Sequence, residues 1–292
     1  MLIAVTGATG FLGRYIVNHL LEQGHRCRCW YRVHSDRGGF VDDSRIEWLP
    51  GELNQASATG ALVDGADAVV HAAVEWHGNG VVSYAMANVV GSLRLMEASR
   101  AAGASRFIFI GTCAVHEIIL DDRELDEAHP LWPTSQYGAY KAAVEKFVHA
   151  YGFGGDWCVC SLRPTGIYGL RRPSKSSRWL DIVRHIAAGR TFRSTAGGKE
   201  VHAADCAKAT SILLDAPADR VRGHCFNCYD LYVAEQDVAR MANLITHSTS
   251  EIEDLNQGPK HQIDTTKLQR LGMQFGGRPM LEAYVRQLVE MV

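Results

Sequence analysis

Along the first half of the chain, short apolar runs alternate with stretches whose apolar residues recur every three or four positions. LIAVTG, Arg26 to Tyr31, Arg45 to Leu49, Ala68 to Ala72, RFIFIGT (Arg106 to Thr112) and WCVCSLRP (ending at Pro164) read as strands. Most are apolar throughout, which a strand needs when both faces of its sheet are covered. Phe11 to Gln23, Val81 to Ala102 and Ser135 to Tyr151 carry the helical period, with Val89, Leu93, Leu95 and Met96 on or beside one stripe. Strand and helix in turn predict an α/β fold built on a doubly wound parallel sheet.

After Pro164 the rhythm weakens. A polar, basic loop, RRPSKSSRW, is followed by helical patterns near Leu180 to Ala188, Ala203 to Leu214, Glu235 to Leu244 and Pro279 to Val292. The expectation is a dinucleotide-binding domain over residues 1–165, with 199–216 returning to it. Residues 166–292 then form a small, mainly helical substrate lobe. No internal repeat or low-complexity tract interrupts this plan.

Composition narrows the partners. The 292 residues are 47% hydrophobic and 21% charged, with a formal net charge of -2, so neither nucleic acid nor an anionic membrane is expected. No apolar run is long enough to span a bilayer. The segment MLIAVTGATGFLG lacks the basic region and cleavage site of a signal peptide, and the expectation is a cytoplasmic protein. Among eight cysteines, Cys27 and Cys29, and Cys158 and Cys160, are spaced to share a strand face. Cys225 and Cys228 have a C-x-x-C spacing without a second pair or a redox βαβ context. Reduced, buried thiols are therefore expected, and no metal site.

Thr6-Gly7-Ala8-Thr9-Gly10-Phe11-Leu12-Gly13 lies between the first strand and the first helix. Glycines suit a tight turn that a pyrophosphate approaches closely, and the helix N-terminus offers N–H groups and a positive dipole end. The spacing G-x-x-G-x-x-G differs from G-x-G-x-x-G, but its place between strand and helix marks a Rossmann-type dinucleotide site. The second strand ends at Tyr31 and Arg32, with no acid before Asp36. An arginine there accepts a ribose 2′-phosphate, so NADP is favoured over NAD; a solvated surface arginine is the other reading.

These and later motifs together resemble the extended short-chain dehydrogenase/reductase family, which includes the NAD-dependent epimerases and dehydratases. TGATGFLG is similar to the family's glycine turn, Gly51-Glu52-Leu53 to its G-D-L motif, and HAAV (His71 to Val74) to the segment after the fourth strand. Tyr137-Gly-Ala-Tyr-Lys141 fits Y-x-x-x-K, and RPTGIYG (Arg163 to Gly169) resembles R-P-x-x-V-Y-G. VHAAD (Val201 to Asp205) and IDTTKLQRLG (Ile263 to Gly272) resemble later landmarks. The resemblance implies cofactor contacts from Gly7, Thr9, Gly10, Phe11, Leu12, Gly13, Arg32, Glu52, Leu53, Ala72, Ala73, Lys141, Pro164 and Thr165. It implies catalysis by Thr112, Tyr137 and Lys141, and a homodimer through the helices near Val81–Ala102 and Ser135–Tyr151. Four residues apart on a helix, Tyr137 and Lys141 share a face. The lysine ammonium and the cationic nicotinamide ring both favour the phenolate, so Tyr137 can exchange a proton while Lys141 also holds the ribose. Tyr140 points away and is not the candidate.

Departures from the family narrow the reaction. Its dehydratases carry an acidic pair directly after the threonine, where this chain has Cys113-Ala114. Nucleotide-sugar enzymes often place an arginine where Gly198 falls, and Lys199 lacks the bidentate fork to replace it. The family's V-Y-G becomes Val115-His116-Glu117, making His116 a substrate candidate, alongside Arg172, Lys175 and Arg178 of the basic loop that starts at Arg171. The expected function is hydride transfer between a nicotinamide cofactor and a secondary alcohol or ketone, such as a sugar or another small polar molecule. An epimerase using transient oxidation is the alternative, and a cofactor-binding regulator without turnover is the third.

Overall fold

A computed structural model describes residues 1–53, 55–76, 80–255 and 258–292. In chain order its strands are β1 (Leu2–Thr6), β2 (Arg26–Tyr31), β3 (Ile46–Pro50), β4 (Ala68–His71), β5 (Arg106–Ile110), β6 (Cys158–Pro164), β7 (Gly166–Tyr168), β8 (Gly197–His202), β9 (Cys225–Cys228) and β10 (Leu231–Ala234). The helices are α1 (Phe11–Glu22), α2 (Ala56–Val63), α3 (Val81–Ala85), α4 (Gly91–Ala101), α5 (Gln136–Phe153), α6 (Leu180–Ala187), α7 (Ala203–Asp215), α8 (Ala218–Val221), α9 (Glu235–Thr246), α10 (Thr266–Gln269) and α11 (Gly277–Val289). Seven parallel strands form one sheet in the order β3-β2-β1-β4-β5-β6-β9. This is the expected doubly wound sheet, and β1 lies at its switch point: the chain moves outward through β2 and β3, then crosses back to β4.

Contacts divide the chain into two compact units. One holds Met1–Pro164, Cys206–Cys228 and Asp264–Met273; the other holds Thr165–Asp205, Tyr229–Ile263 and Gln274–Val292. The segments grouped with the sheet are thus 206–228 and 264–273, where the sequence placed 199–216. In the first unit, Leu95 and Met96 of α4 and Tyr140, Val144 and Val148 of α5 pack with Phe107, Phe109 and Val159 of the sheet. The helix expected over 81–102 is α3 and α4 joined by a wider π-type turn, Met86–Val90. The second unit is not helices alone: β10, β8 and β7 form a three-stranded sheet, and α6, α9 and α11 bury Val183, Val238, Leu281 and Leu288 around Tyr168. All eight cysteines are free, and only Cys113 is less than fully buried. Among the described residues no helix is long and apolar enough to cross a membrane.

Candidate active site

The glycine turn leaves β1 and enters α1 where the sheet switches direction. Gly7 has φ +73, and a Cβ there would sit 2.8 Å from the Ala72 carbonyl carbon at the end of β4. A Cβ on Gly13 would come 2.0 Å from the Gly7 oxygen. Both glycines therefore serve the turn and the seating of α1 on it. Gly10 caps the helix without a side-chain hydrogen bond, leaving first-turn N–H groups and the dipole end for an anionic group. The turn forms one wall of a cleft of about 390 Å³.

Gly7, Thr9, Gly10, Phe11, Leu12, Gly13, Arg32, Glu52, Leu53, Ala72 and Ala73 line this cleft. Lys141, Pro164 and Thr165 do not. Pro164 ends β6 in the first unit, and Thr165 opens the second with a buried hydroxyl that has no hydrogen-bond partner. The cleft also takes in Trp30, whose indole packs where a Cβ on Gly51 would stand, and Glu75 and Trp76, which the sequence reading missed. Arg32 is half-exposed and lies 3.6 Å from the Glu75 carboxylate. Asp36 also borders the cleft, but its carboxylate accepts from Gly38 N at 2.9 Å and lies 3.6 Å from Arg14.

Beneath the turn runs a buried polar relay. Ser92 Oγ donates to Asn88 O, so it accepts from Nε2–H of His71 at 2.8 Å. Nδ1 of His71 then accepts from the Thr6 hydroxyl at 2.7 Å, and Thr6 Oγ1 accepts from Ala73 N at 3.2 Å. This tautomer follows from the donor count. Burial, with Lys141 adding repulsion, lowers the His71 pKa to about 3, so the ring is neutral. Asn88, in the π-type turn, accepts from Glu75 N at 2.8 Å and donates to Glu75 O and Tyr84 O. It fixes the loop that presents Glu75 and Trp76.

Thr112, Tyr137 and Lys141 come together beyond the end of β5. Thr112 caps a single 3-10 turn, Cys113–His116, by accepting from Ala114 N at 3.1 Å. Its hydroxyl faces the Tyr137 phenol and favours the ionised form. Lys141 is fully buried, its Nζ donating to Ile110 O and lying 4.5 Å from the Phe109 ring centroid and 5.8 Å from that of Tyr137. Burial lowers its pKa to about 7, with Glu145 opposing. Burial likewise raises the Tyr137 pKa, with Thr112 opposing. The lowered phenol pKa expected from the lysine is therefore not a property of the protein alone: desolvation outweighs Thr112, and the Lys141 ammonium is turned to a carbonyl. Tyr140 sits in the core, with its ring centroid 5.9 Å from that of Tyr137 and 4.9 Å from Lys141 Nζ. The Trp76 ring stacks on Tyr137 with centroids 5.2 Å apart and planes at 23°.

His116 is a correction. It is buried, Nδ1 bonds Pro130 O at 3.2 Å, and Nε2 lies 3.1 Å from the Arg163 guanidinium. Burial and that guanidinium lower its pKa to about 4. Both ring nitrogens are committed to the fold, none is left for a substrate, and its neighbour Arg163 is itself paired with buried Glu145 at 2.7 Å. In the second unit Arg172 and Lys175 are exposed. Arg178 is held by buried Glu200 through two contacts of 2.7 and 2.9 Å.

Known proteins resemble this chain in sequence and in fold. The chain is 30% identical over 181 residues to a 3β-hydroxysteroid dehydrogenase/Δ5→4-isomerase of Mycobacterium tuberculosis, covering 57% of this chain and 47% of that one. It is 34% identical over 170 residues to a ceramide reductase of Caulobacter vibrioides, covering 57% and 46%. The chain thus spans about half the length of the curated relatives it matches. A UDP-glucose 4-epimerase from Thermotoga maritima, solved with UDP-glucose, has the same fold: TM-score 0.79 at 20% identity, over 99% of this chain and 98% of that one. Residues 3–228, which hold the glycine turn, all seven parallel strands and the Thr112–Tyr137–Lys141 group, match the family model directly, and the chain belongs to the NAD-dependent epimerase/dehydratase family.

Proposed function

We propose that the chain is an NAD(P)-dependent oxidoreductase that interconverts a secondary alcohol and a ketone. The observation that carries this reading is the stacking of Trp76 on Tyr137. It joins the dinucleotide cleft to the Thr112–Tyr137–Lys141 group within one unit. The cradle suits the cofactor: the open α1 N-terminus receives the pyrophosphate, and Gly7 and Gly13 keep Cβ atoms out of the turn. The bound nicotinamide supplies or accepts the hydride. Tyr137 gives a proton to the substrate oxygen or takes one from it, Thr112 orients that oxygen, and Lys141 stabilises the phenolate and holds the ribose. The dehydrogenase and reductase among its relatives favour net oxidation or reduction. The glycine at position 198 disfavours a nucleotide-sugar epimerase, and Cys113-Ala114 disfavours dehydration. The exposed ring of Trp76 beside the phenol suits a substrate with an apolar or C–H-rich ring face.

Arg32 at the end of β2 supports NADP over NAD, and eight free thiols suit the reducing cytoplasm. A homodimer through α4 and α5 would cover Phe147 and the half-open Val89, Leu93 and Tyr151; light scattering at micromolar protein should give twice the chain mass, and a monomer mass would overturn the dimer. The activity is tested by incubating the protein with oxidised or reduced cofactor and a panel of alcohols and ketones. A net change in nicotinamide absorbance is expected. Product without net change identifies an epimerase, and cofactor binding without turnover identifies a regulator.

A further inference from the structure

We propose that Glu117 is a positioning residue: its carboxylate ties the turn behind Thr112 to the start of the helix that carries Tyr137, and so sets the Thr112–Tyr137 contact. The inference rests on the reading of Tyr137 as the proton-transfer group. Glu117 directly follows the 3-10 turn that Thr112 caps. Its Oε2 accepts from Thr134 N, from Thr134 Oγ1 at 2.7 Å and from Ser135 N at 2.9 Å, while Oε1 accepts from Ser135 Oγ at 2.9 Å. Ser135 is the N-cap of α5, and its Oγ accepts in turn from Gly138 N at 3.1 Å. One carboxylate thus organises both the cap and the residue before it, two positions ahead of Tyr137.

These contacts differ from an ordinary surface ion pair, whose long, mobile partners give little net stabilisation. Two of the four donors are backbone N–H groups, and the others are short hydroxyls with little rotamer freedom to lose. The four hydrogen bonds hold the Glu117 carboxyl below the usual carboxylate range, so it stays ionised near neutral pH. An independent observation shows that the two segments meet closely. A Cβ on Gly138 would lie 2.7 Å from Ala114 O, so the first turn of α5 rests directly on the turn that Thr112 caps. Ile118 N donates to Trp132 O at 3.2 Å, extending the tie.

Among the described residues, Thr112, Trp76, Tyr84, Tyr140 and Lys141 lie around the Tyr137 ring, and of these Lys141 alone can be cationic. Loosening Glu117 should therefore act through Thr112 and leave the cofactor cleft intact. A plain helix cap would change thermal stability alone. The test uses the full chain with isotope-labelled tyrosine, and nuclear magnetic resonance of the Tyr137 Cζ, assigned through Tyr137→Phe. Thr112→Val supplies the resonance position of a phenol without its hydroxyl partner. Glu117→Ala is expected to move the signal at least halfway toward that position. It should also lower kcat about tenfold, as small misplacements of reacting groups do, without changing cofactor Kd. Glu117→Gln keeps an acceptor for the two backbone N–H groups and should fall between Glu117→Ala and the parent protein. A Tyr137 signal that stays in place in folded Glu117→Ala overturns the proposal, whatever happens to thermal stability. Should that variant not fold, an unmoved signal in Glu117→Gln overturns it equally. Because the resonance needs no substrate, absence of turnover across the panel would sink the proposed activity and leave this test standing.

Discussion

Tyr137 illustrates a conflict that decides how the site works. Burial raises its pKa and lowers that of Lys141 to about 7, so in the protein alone each group is pushed toward its neutral form. A bound cationic nicotinamide would favour the Tyr137 phenolate, and the phenolate in turn would favour the Lys141 ammonium against the repulsion of the ring. Tyr137→Phe should leave fold and cofactor binding in place and lower turnover by about 10²–10⁴-fold. Lys141→Ala should damage both turnover and cofactor affinity. Thr112→Val should cost less turnover than Tyr137→Phe, since the proton donor remains. Steady-state kinetics beside cofactor titration checks this order, and near-parental activity in folded Tyr137→Phe would refute the mechanism. At the far end of the cleft, Arg32 must leave Glu75, 3.6 Å away, to meet a 2′-phosphate. Arg32→Ala should weaken NADP binding about tenfold or more and change NAD binding little, as one exposed charge-assisted contact implies. Calorimetric titration of both cofactors reads this directly, and equal losses for both would remove Arg32 from the selectivity argument.

At the scale of elements, glycines in two helices should respond with opposite sign. Gly13→Ala in α1 meets backbone atoms of Gly7 and Ala8 at 2.0 to 2.9 Å, so the helix must shift. The expected cost is about 1–3 kcal/mol, with a larger loss of cofactor affinity because the helix N-terminus moves. Gly60→Ala in α2 meets nothing within 4 Å and should stabilise by about 0.5–1 kcal/mol. Urea denaturation of both variants decides the matter, and destabilisation by Gly60→Ala would contradict it. The contrast also explains what could be read from sequence. The strands β1, β4, β5 and β6 were legible because burial on both faces writes largely continuous apolar runs. The helix α2, ASATGALV, went unread: it is short, interrupted by glycine and lacks a clean polar face. The strands β7, β8 and β10 are three to six residues long, too short to set a period, so the second unit read as mainly helical. Within the site, the glycine turn, Thr112, Tyr137 and Lys141 stood out through order and spacing. Trp76 gave no signal, being one exposed aromatic in a loop, whereas Asn88, a lone amide in AMANVVG, was a signal left unused.

Across the whole molecule, acid should act unequally on the two units. In the first, His71 and His116 have pKa values lowered from 6.5 to about 3 and about 4. Between these limits and 6.5 the unfolded chain binds two protons that the folded unit does not, so stability falls as pH falls. The slope is roughly 3 kcal/mol per pH unit near pH 5, reduced somewhat by Glu127, whose burial raises its pKa and reverses the sign. In the second unit His202, lowered to about 4, acts in the same direction as His71. Against it stand Glu200, raised from 4.5 to about 7, and Asp230, raised from 3.8 to about 6, both chiefly by burial. Each carboxyl takes up its proton in the folded unit first. Each therefore adds stability as pH falls through its folded value, until the unfolded value is reached. Two groups gaining against one losing leave the second unit level or slightly firmer near pH 5, where the first is weakening. Hydrogen exchange read by mass spectrometry at pH 7, 6 and 5, corrected for intrinsic rates, should show β1, α1 and β4 losing protection while α6, α9 and α11 keep theirs. His71→Gln, which cannot take up the proton on unfolding, should flatten the decline in the first unit by about one proton. Equal loss in both units, or earlier loss in the second, would show that the buried histidines do not govern the acid response.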